Sequence, residues 1–352
     1  MTRILLACLG IAMSAAYIFL FLPVDSYFFL LAAQCAIFAL WAVSYNIVYG
    51  YMGEISFGHS AYFGLGAYAL PLLMNGLQLP FLLGLLGGAL IAGLAAALIG
   101  TMIRGTRGIY FAIATFVFAQ AIYITVLKWT DFTGGDNGLL VSRPDWLSTT
   151  RSYAIFSLAI VAAAMAYLYR FVNSPAGRVI VAARENERRA RQVGYDTTQY
   201  RIVAFIISGV FSGLAGGLFS SLIFFVSPDI LYWHMSGQVI IMTIIGGAQA
   251  FVGPIVGAIF LVVFQDFVSG LSSSGIRVLG VNFASVGEHW LLLLGITFYA
   301  IILYEPDGIV GFIARVRVRK RKSDAISADL SSERNLSNPG EHSTPMTKET
   351  TS

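Results

Sequence analysis

Charge is scarce in this chain. Only 11% of its 352 residues are Asp, Glu, Lys or Arg, against about 25% in soluble domains. Lysine is scarcer still, confined to Lys128, Lys320, Lys322 and Lys348. A Gly-Lys-Ser/Thr phosphate loop is therefore missing, and the chain lacks that means of hydrolysing ATP. The two cysteines, Cys8 and Cys35, lie inside apolar runs, which excludes a disulfide framework. His59, His234, His289 and His342 lack the spacing of paired metal ligands. The stretch Gly58-His59-Ser60-Ala61-Tyr62 resembles half a nucleophile elbow but ends on tyrosine where glycine is needed. The expectation is a non-enzyme that binds no metal or cofactor of its own. The net charge of +4 comes from clusters near membrane ends, so nucleic acid is not an expected partner and the positive-inside bias accounts for it.

Apolar residues fill the space that charge leaves. They make up 57% of the chain, with a mean hydropathy of +0.76. They fall in blocks near 4–22, 28–49, 56–74, 79–100, 109–127, 153–172, 200–223, 237–268 and 286–304. Blocks of roughly 17–25 residues span a bilayer as helix, and they are too long and uniform for barrel strands. The chain reads as an all-α polytopic transmembrane bundle of about 8–10 spans. Residues 1–27 read as an N-terminal transmembrane helix and loop. The first block ends FLFLPVD without a small-x-small site, which favours a retained helix over a cleaved signal. Residues 28–313 form the main membrane domain. Residues 314–352 read as a basic juxtamembrane segment and a polar, disordered cytoplasmic tail.

Arginine placement sets the sides. Arg104 with Arg107, the island Ser174–Tyr200, and the run from Arg315 to Lys322 mark the cytoplasm, whereas Lys128–Tyr153 reads as external. An odd number of crossings must then follow residue 223, and two blocks remain. A break inside 237–268 resolves the parity. Gly246, Gly247, Gly253 and Pro254 suit a continuous helix poorly, so this run is expected to be broken or re-entrant. Glycines at four-residue spacing, Gly209, Gly213 and Gly217, with Gly253 and Gly257 elsewhere, permit close helix contact.

Three constellations carry chemical information. In the island, Ser174-Pro175 starts a helix, Glu185 precedes Arg188 and Arg189 at pairing distance, and Gly194 suits a left-handed C-cap. Asp196, Thr197 or Thr198 can cap the next helix. The island fits both a solvated loop helix and a docking element. In Tyr49–Tyr68, Glu54, Ser56 and His59 lie at or within an apolar block, where ionisable groups are functional suspects. Glu54 also fits a cytoplasmic interface position. Gln120, inside the block 109–127, reads as an interhelical hydrogen bond or a lining residue of a pathway.

Four segments, YGYMGEISFGHSAYFGLGAY, RGIYFAIATFVFAQ with TGGDNGL, SPAGRVIVAARENERRARQVGYD and IIGGAQAFVGPIVGA, together resemble the branched-chain amino-acid permease subunits of ATP-driven importers. The likeness covers about Ala36 to Gly311. This chain has Glu54 where the family usually carries Gln. The resemblance implies a bacterial inner-membrane permease with a cytoplasmic C-terminus. It also implies a second homologous permease subunit, two cytoplasmic ATPases that carry ATP and Mg, and a periplasmic binding protein. It makes 174–197 the coupling segment, with Gly177, Arg178, Arg184, Glu185, Asn186, Arg188 and Gly194 as its ATPase-coupling residues. Leucine, isoleucine and valine are the leading substrates; urea, amides or other small solutes are the alternative. A proton-coupled secondary transporter is the alternative from another class, resting on Glu54.

Overall fold

A computed structural model describes residues 26–273 continuously, then Arg277–Val278, Val281–Asn282 and isolated positions between 292 and 311. The apolar block 4–22, most of 286–304, and the basic run with its tail lie outside the described residues. All contacts below belong to the compact unit that ends at Val310.

The apolar blocks form helices. These are α1 (Ser26–Asn46, continued by a π-helical turn, Ile47–Tyr51), α2 (His59–Gly76), α3 (Phe81–Met102), α4 (Ile109–Lys128) and α5 (Thr150–Asn173), then α6 (Pro175–Gln192), α7 (Thr197–Ile223), α8 (Trp233–Gly246) and α9 (Gly253–Ser273). Among the described residues, five are long and apolar enough to cross a membrane: Ser26–Tyr51, α3, α4, α5 and α7. The polytopic helical bundle expected from the blocks is what the chain forms. Its run 237–268 is two helices, α8 and α9, as the parity argument required.

α7 is the central helix, packed most heavily on α3 and α2. Its small residues let backbones touch. A Cβ on Gly216 would lie 1.8 Å from the Phe63 carbonyl oxygen, and one on Gly66 would lie 2.0 Å from that of Gly213. Larger side chains fill the space beside this seam. The Trp41 and Phe63 rings stack at 4.3 Å, and Phe38 meets Phe219 at 5.3 Å.

Two helices begin inside the bundle. From Thr197 to Ser208, α7 rises about 16 Å, and Ser208 touches His59, the first residue of α2. α2 therefore starts about halfway along α7. α8 starts beside it: the Ser60 N–H donates to Ser236 Oγ at 2.9 Å, Ser236 Oγ donates to Ser60 Oγ at 2.8 Å, and Ser60 Oγ donates to the Leu231 carbonyl at 3.1 Å. Helix starts leave unpaired N–H groups, and these hydroxyls meet part of that need without adding charge.

The far end of α7 is closed by the loop before α5. Arg143 donates from Nε to the Ser221 carbonyl at 2.6 Å and from Nη2 to that of Leu222 at 2.7 Å. Its guanidinium lies over the Tyr153 and Phe224 rings. A cation on terminal carbonyls complements the helix dipole. A two-residue ladder, β1 (Leu139–Leu140) with β2 (Phe225–Val226), ties the same loops together.

α8 and α9 turn at Gly247, whose φ is +102°. A Cβ on Gly246 would lie 1.8 Å from the Gly253 carbonyl oxygen, and one on Gly257 the same distance from that of Met242. Pro254 sits in the first turn of α9, where no N–H is needed. Gly247→Leu should therefore lower stability by about 1–3 kcal/mol through backbone strain and overpacking. Gly237→Ala, with nothing within 4 Å, should be neutral or slightly stabilising. Thermal melts of the two variants in one detergent check this, and equal melts would contradict the tight turn.

Candidate functional site

The island 174–200 is a capped, charged element with an internal bend. Ser174 Oγ accepts from the Gly177 N–H at 3.3 Å and Pro175 occupies the first turn. At the other end the Tyr195 N–H reaches the Ala190 carbonyl at 3.3 Å, the Gly194 N–H reaches that of Arg191 at 2.9 Å, and Gly194 has φ +98°. That is a Schellman termination. Asp196 Oδ1 then accepts from the N–H groups of Thr198 and Gln199, starting α7.

The bend falls at Asn186, with φ −155° and ψ +92°. Asn186 Oδ1 accepts from the Arg189 N–H at 3.0 Å, so this residue acts as an N-cap for the second piece. One consequence corrects the sequence reading. Glu185 lies before the bend and Arg188 and Arg189 after it, so helical i,i+3 and i,i+4 geometry is lost. Among the described residues Glu185 makes no ion pair. Glu187 is the paired carboxylate: its Oε1 meets Arg107 Nη2 at 2.5 Å and Arg191 Nη2 at 2.8 Å, and accepts from Thr197 Oγ1 at 2.9 Å. Burial alone would raise the Glu187 carboxyl, but the Thr197 hydroxyl and the two guanidiniums outweigh it and hold the pKa below its ordinary value.

The other expected coupling residues divide by surroundings. Gly177 is buried, and a Cβ there would lie 2.1 Å from the Val172 carbonyl oxygen. Its close approach is to the end of α5. Arg178, Glu185 and Arg188 are exposed. Arg184 donates to the Gly50 carbonyl, and its stem lies against Gly53, whose φ is +79°. The first piece of α6 is thus fastened to the bend that follows α1.

Glu54 sits in that bend and is nearly sealed. Its Oε1 meets Arg201 Nη2 at 2.7 Å, with side-chain exposures of 7% and 13%. Its Oε2 accepts from the Gly108 N–H at 2.7 Å, at the start of α4. Burial raises the Glu54 carboxyl, against the opposing pull of the Gly108 N–H and the Arg107 charge. The Arg201 contact identifies the carboxylate as the form held here. A carboxylate at a helix N-terminus also has the favourable sign for the dipole.

Above Glu54 the chain climbs into the bundle. The Phe57 N–H donates to Thr115 Oγ1 at 3.2 Å on α4. Ser56 Oγ lies 3.0 Å from His59 Nδ1, His59 Nε2 lies 2.7 Å from Ser208 Oγ, and Ser208 Oγ donates to the Ser44 carbonyl at 2.6 Å. Ser44 Oγ lies 2.9 Å from Ser212 Oγ. Ser56, His59, Ser44, Ser208 and Ser212 are all buried, and Tyr45 packs edge-on against His59 at 4.8 Å. This polar chain links α1, α2 and α7. Gln120 stands apart, half-buried on α4, with no hydrogen-bond partner among the described residues. Gly246, Gly247, Gly253 and Pro254 form the α8–α9 turn, on the same side as the bend: a Cβ on Gly50 would lie 2.3 Å from the Ala248 carbonyl oxygen.

A buried polar thread through apolar helices, with a capped charged element below it, belongs to a membrane transport component more readily than to a catalyst. Comparison with known proteins agrees. A family model described as the permease component of branched-chain amino acid transport systems matches residues 27–302. The chain belongs to this family. Its relatives include the high-affinity branched-chain amino acid permease protein LivM of Escherichia coli K12, 26% identical over 308 residues, 80% of this chain and 69% of the relative. The corresponding LivH of Salmonella typhimurium is 25% identical over 78% of this chain and 91% of its own. The autoinducer 2 import permease LsrC of Photorhabdus laumondii is 31% identical over about half of each chain. No solved structure matches. Within this permease component, Arg201, Glu187 and Arg143 are structural partners that the sequence reading left unassigned. The Arg201–Glu54, Glu187–Arg107 and Arg143–α7 contacts are non-local, and spacing alone carries no sign of them, whereas Glu187 with Arg191 is an i,i+4 pair.

Breaking a nearly buried ion pair strands the surviving charge. Glu54→Ala should cost about 3–5 kcal/mol, Glu54→Gln less, because an acceptor oxygen remains, and Glu54→Leu with Arg201→Met should recover much of the loss. A double-mutant cycle of unfolding midpoints measures this. Additive losses would show that the two residues do not act as a pair.

Proposed function

We propose that this permease component is one of two related membrane subunits of an ATP-driven importer in the bacterial inner membrane. Each subunit forms half of the path, the C-terminus is cytoplasmic, and a periplasmic binding protein delivers substrate. Leucine, isoleucine and valine are the favoured cargo, in keeping with the family and with relatives named for branched-chain amino acids. The likeness to an autoinducer 2 import permease keeps other small solutes as the alternative. ATP and Mg belong to two separate cytoplasmic ATPases.

The observation that carries this reading is the two-sided character of α6. Its inner side is fixed to the bundle through Gly177 and Arg184, while Arg178, Glu185 and Arg188 are exposed. An element that is stiffly seated, charged and outward-facing suits transmission of motion from an ATPase. ATP drives transport by favouring one arrangement of the subunits over another, and α6 passes that preference to α5 and the Gly50–Glu54 bend. His59 and its serines lie in the moving region as a neutral polar seam. A proton-coupled carrier would need a free carboxyl, whereas Glu54 is occupied by Arg201 and Gly108.

Glu185→Ala with Arg188→Ala should leave the membrane domain folded, since neither side chain has a hydrogen-bond or ion-pair partner among the described residues. It should weaken ATPase docking, with loss of a buried interfacial charge costing about 2–5 kcal/mol. Co-purification of the ATPases and substrate-stimulated hydrolysis are the readouts. Normal docking and hydrolysis would reduce α6 to a solvated loop. Sidedness is tested separately. With Cys8 and Cys35 replaced by serine, a cysteine at 178 should react with impermeant reagent only from the cytoplasmic side, and one at 136 only from outside. The reverse pattern at 178 would defeat the coupling assignment.

A further inference from the structure

Beside the coupling element lies a cationic cleft of about 770 Å³. It is bordered by the loop between α3 and α4 and by the junction of α6 with α7. Arg104, Arg107, Arg188 and Arg191 line it, with Glu187 and Asp196. The two carboxylates are already in use. Glu187 is shared between Arg107 and Arg191, and Asp196 caps α7. Arg104 and Arg188 have no carboxylate partner among the described residues. The cleft therefore carries an excess of two positive charges. Arg107, which lines the cleft, also has a buried Nη1 with no hydrogen-bond partner among the described residues, a donor whose desolvation is uncompensated.

The surroundings indicate where the missing anion comes from. On α3 the exposed residues Leu90, Leu94, Leu98 and Met102 form one stripe that ends two positions before Arg104. On α4 the exposed Ile109 and Tyr110 begin two positions after Arg107. The arginines thus sit where two apolar, outward-facing surfaces stop. That is the level of a headgroup, with acyl chains following the stripes.

We propose that this cleft binds the phosphate of an anionic phospholipid, whose acyl chains lie along the exposed faces of α3 and α4. The site adjoins the exposed coupling face, with Arg188 on the border of both, and the proposal requires only that the chain lies in a membrane.

The test uses the full-length chain in its native complex, reconstituted in nanodiscs of phosphatidylcholine with a minor fraction of phosphatidylglycerol. Native mass spectrometry reads which lipid is retained. The wild type should retain phosphatidylglycerol well above its bulk fraction. Arg104→Gln should lower that enrichment about fivefold, near the value of one basic residue at a lipid surface, and Arg104→Lys should largely preserve it. Arg104 is exposed and has no hydrogen bond or ion pair among the described residues, so its loss should not unfold the chain. Arg170→Gln, an exposed arginine at the end of α5, should leave the enrichment unchanged. Equal retention of the two lipids, or equal losses in the Arg104→Gln and Arg170→Gln variants, overturns the proposal. So does stabilisation by inorganic phosphate in pure phosphatidylcholine discs without any phosphatidylglycerol enrichment, which would assign the cleft to a soluble anion.

Discussion

One end of the helical bundle in this permease component hangs on one carboxylate. Glu54 joins Arg201 at the foot of α7 to the Gly108 N–H just before α4, and its own backbone N–H returns to the Val48 carbonyl. A charge this enclosed is stable only with partners on both oxygens. That constraint fixes the start of the climb from 52 to 58, and the climb places the beginning of α2 beside Ser208. His59 is then enclosed between two serines, and Ser60 meets Ser236. Displacing Glu54 would unsettle contacts on four helices.

The interrupted helices pose a second constraint. Every helix end within apolar surroundings leaves backbone groups that lipid cannot satisfy. Here the solutions differ by position. Neutral hydroxyls serve the start of α2 inside the bundle, a carboxylate serves the start of α4, and an arginine serves the finish of α7. Among the described residues these charged partners lie toward the two ends of the bundle, and the seam between them is held by serines and one histidine.

Much of this was legible from local chemistry. Ser174-Pro175, Gly194 and Asp196 announce their caps within three or four residues, and the structure uses each of them as such. The glycines of 246–253 declare a turn for the same reason. Long apolar blocks give the helices because burial in lipid depends on composition alone. What sequence could not reveal depends on partners far along the chain: Glu54 with Arg201, Glu187 with Arg107, and Arg143 with the end of α7. The bend at Asn186 is the instructive miss. Asn followed three residues on by a free N–H is a local capping signal, but helical charge pairing around it suggested continuity, and the cap won.

That bend also partitions mechanical load. Residues before Asn186 are rooted in the end of α5 and, through Arg184, in the turn that follows α1. Residues after it are rooted, through Glu187 and Arg191, in the foot of α7 and the α3–α4 loop. A push on the first piece and a push on the second therefore travel into different parts of the bundle, and Asn186 is the hinge pin between two levers. A thrust applied across both pieces would load the α1–α5 side and the α3–α7 side through separate contacts. The seam between those sides is lined by Ser44, His59 and Ser208, whose hydrogen bonds can exchange partners without exposing a charge.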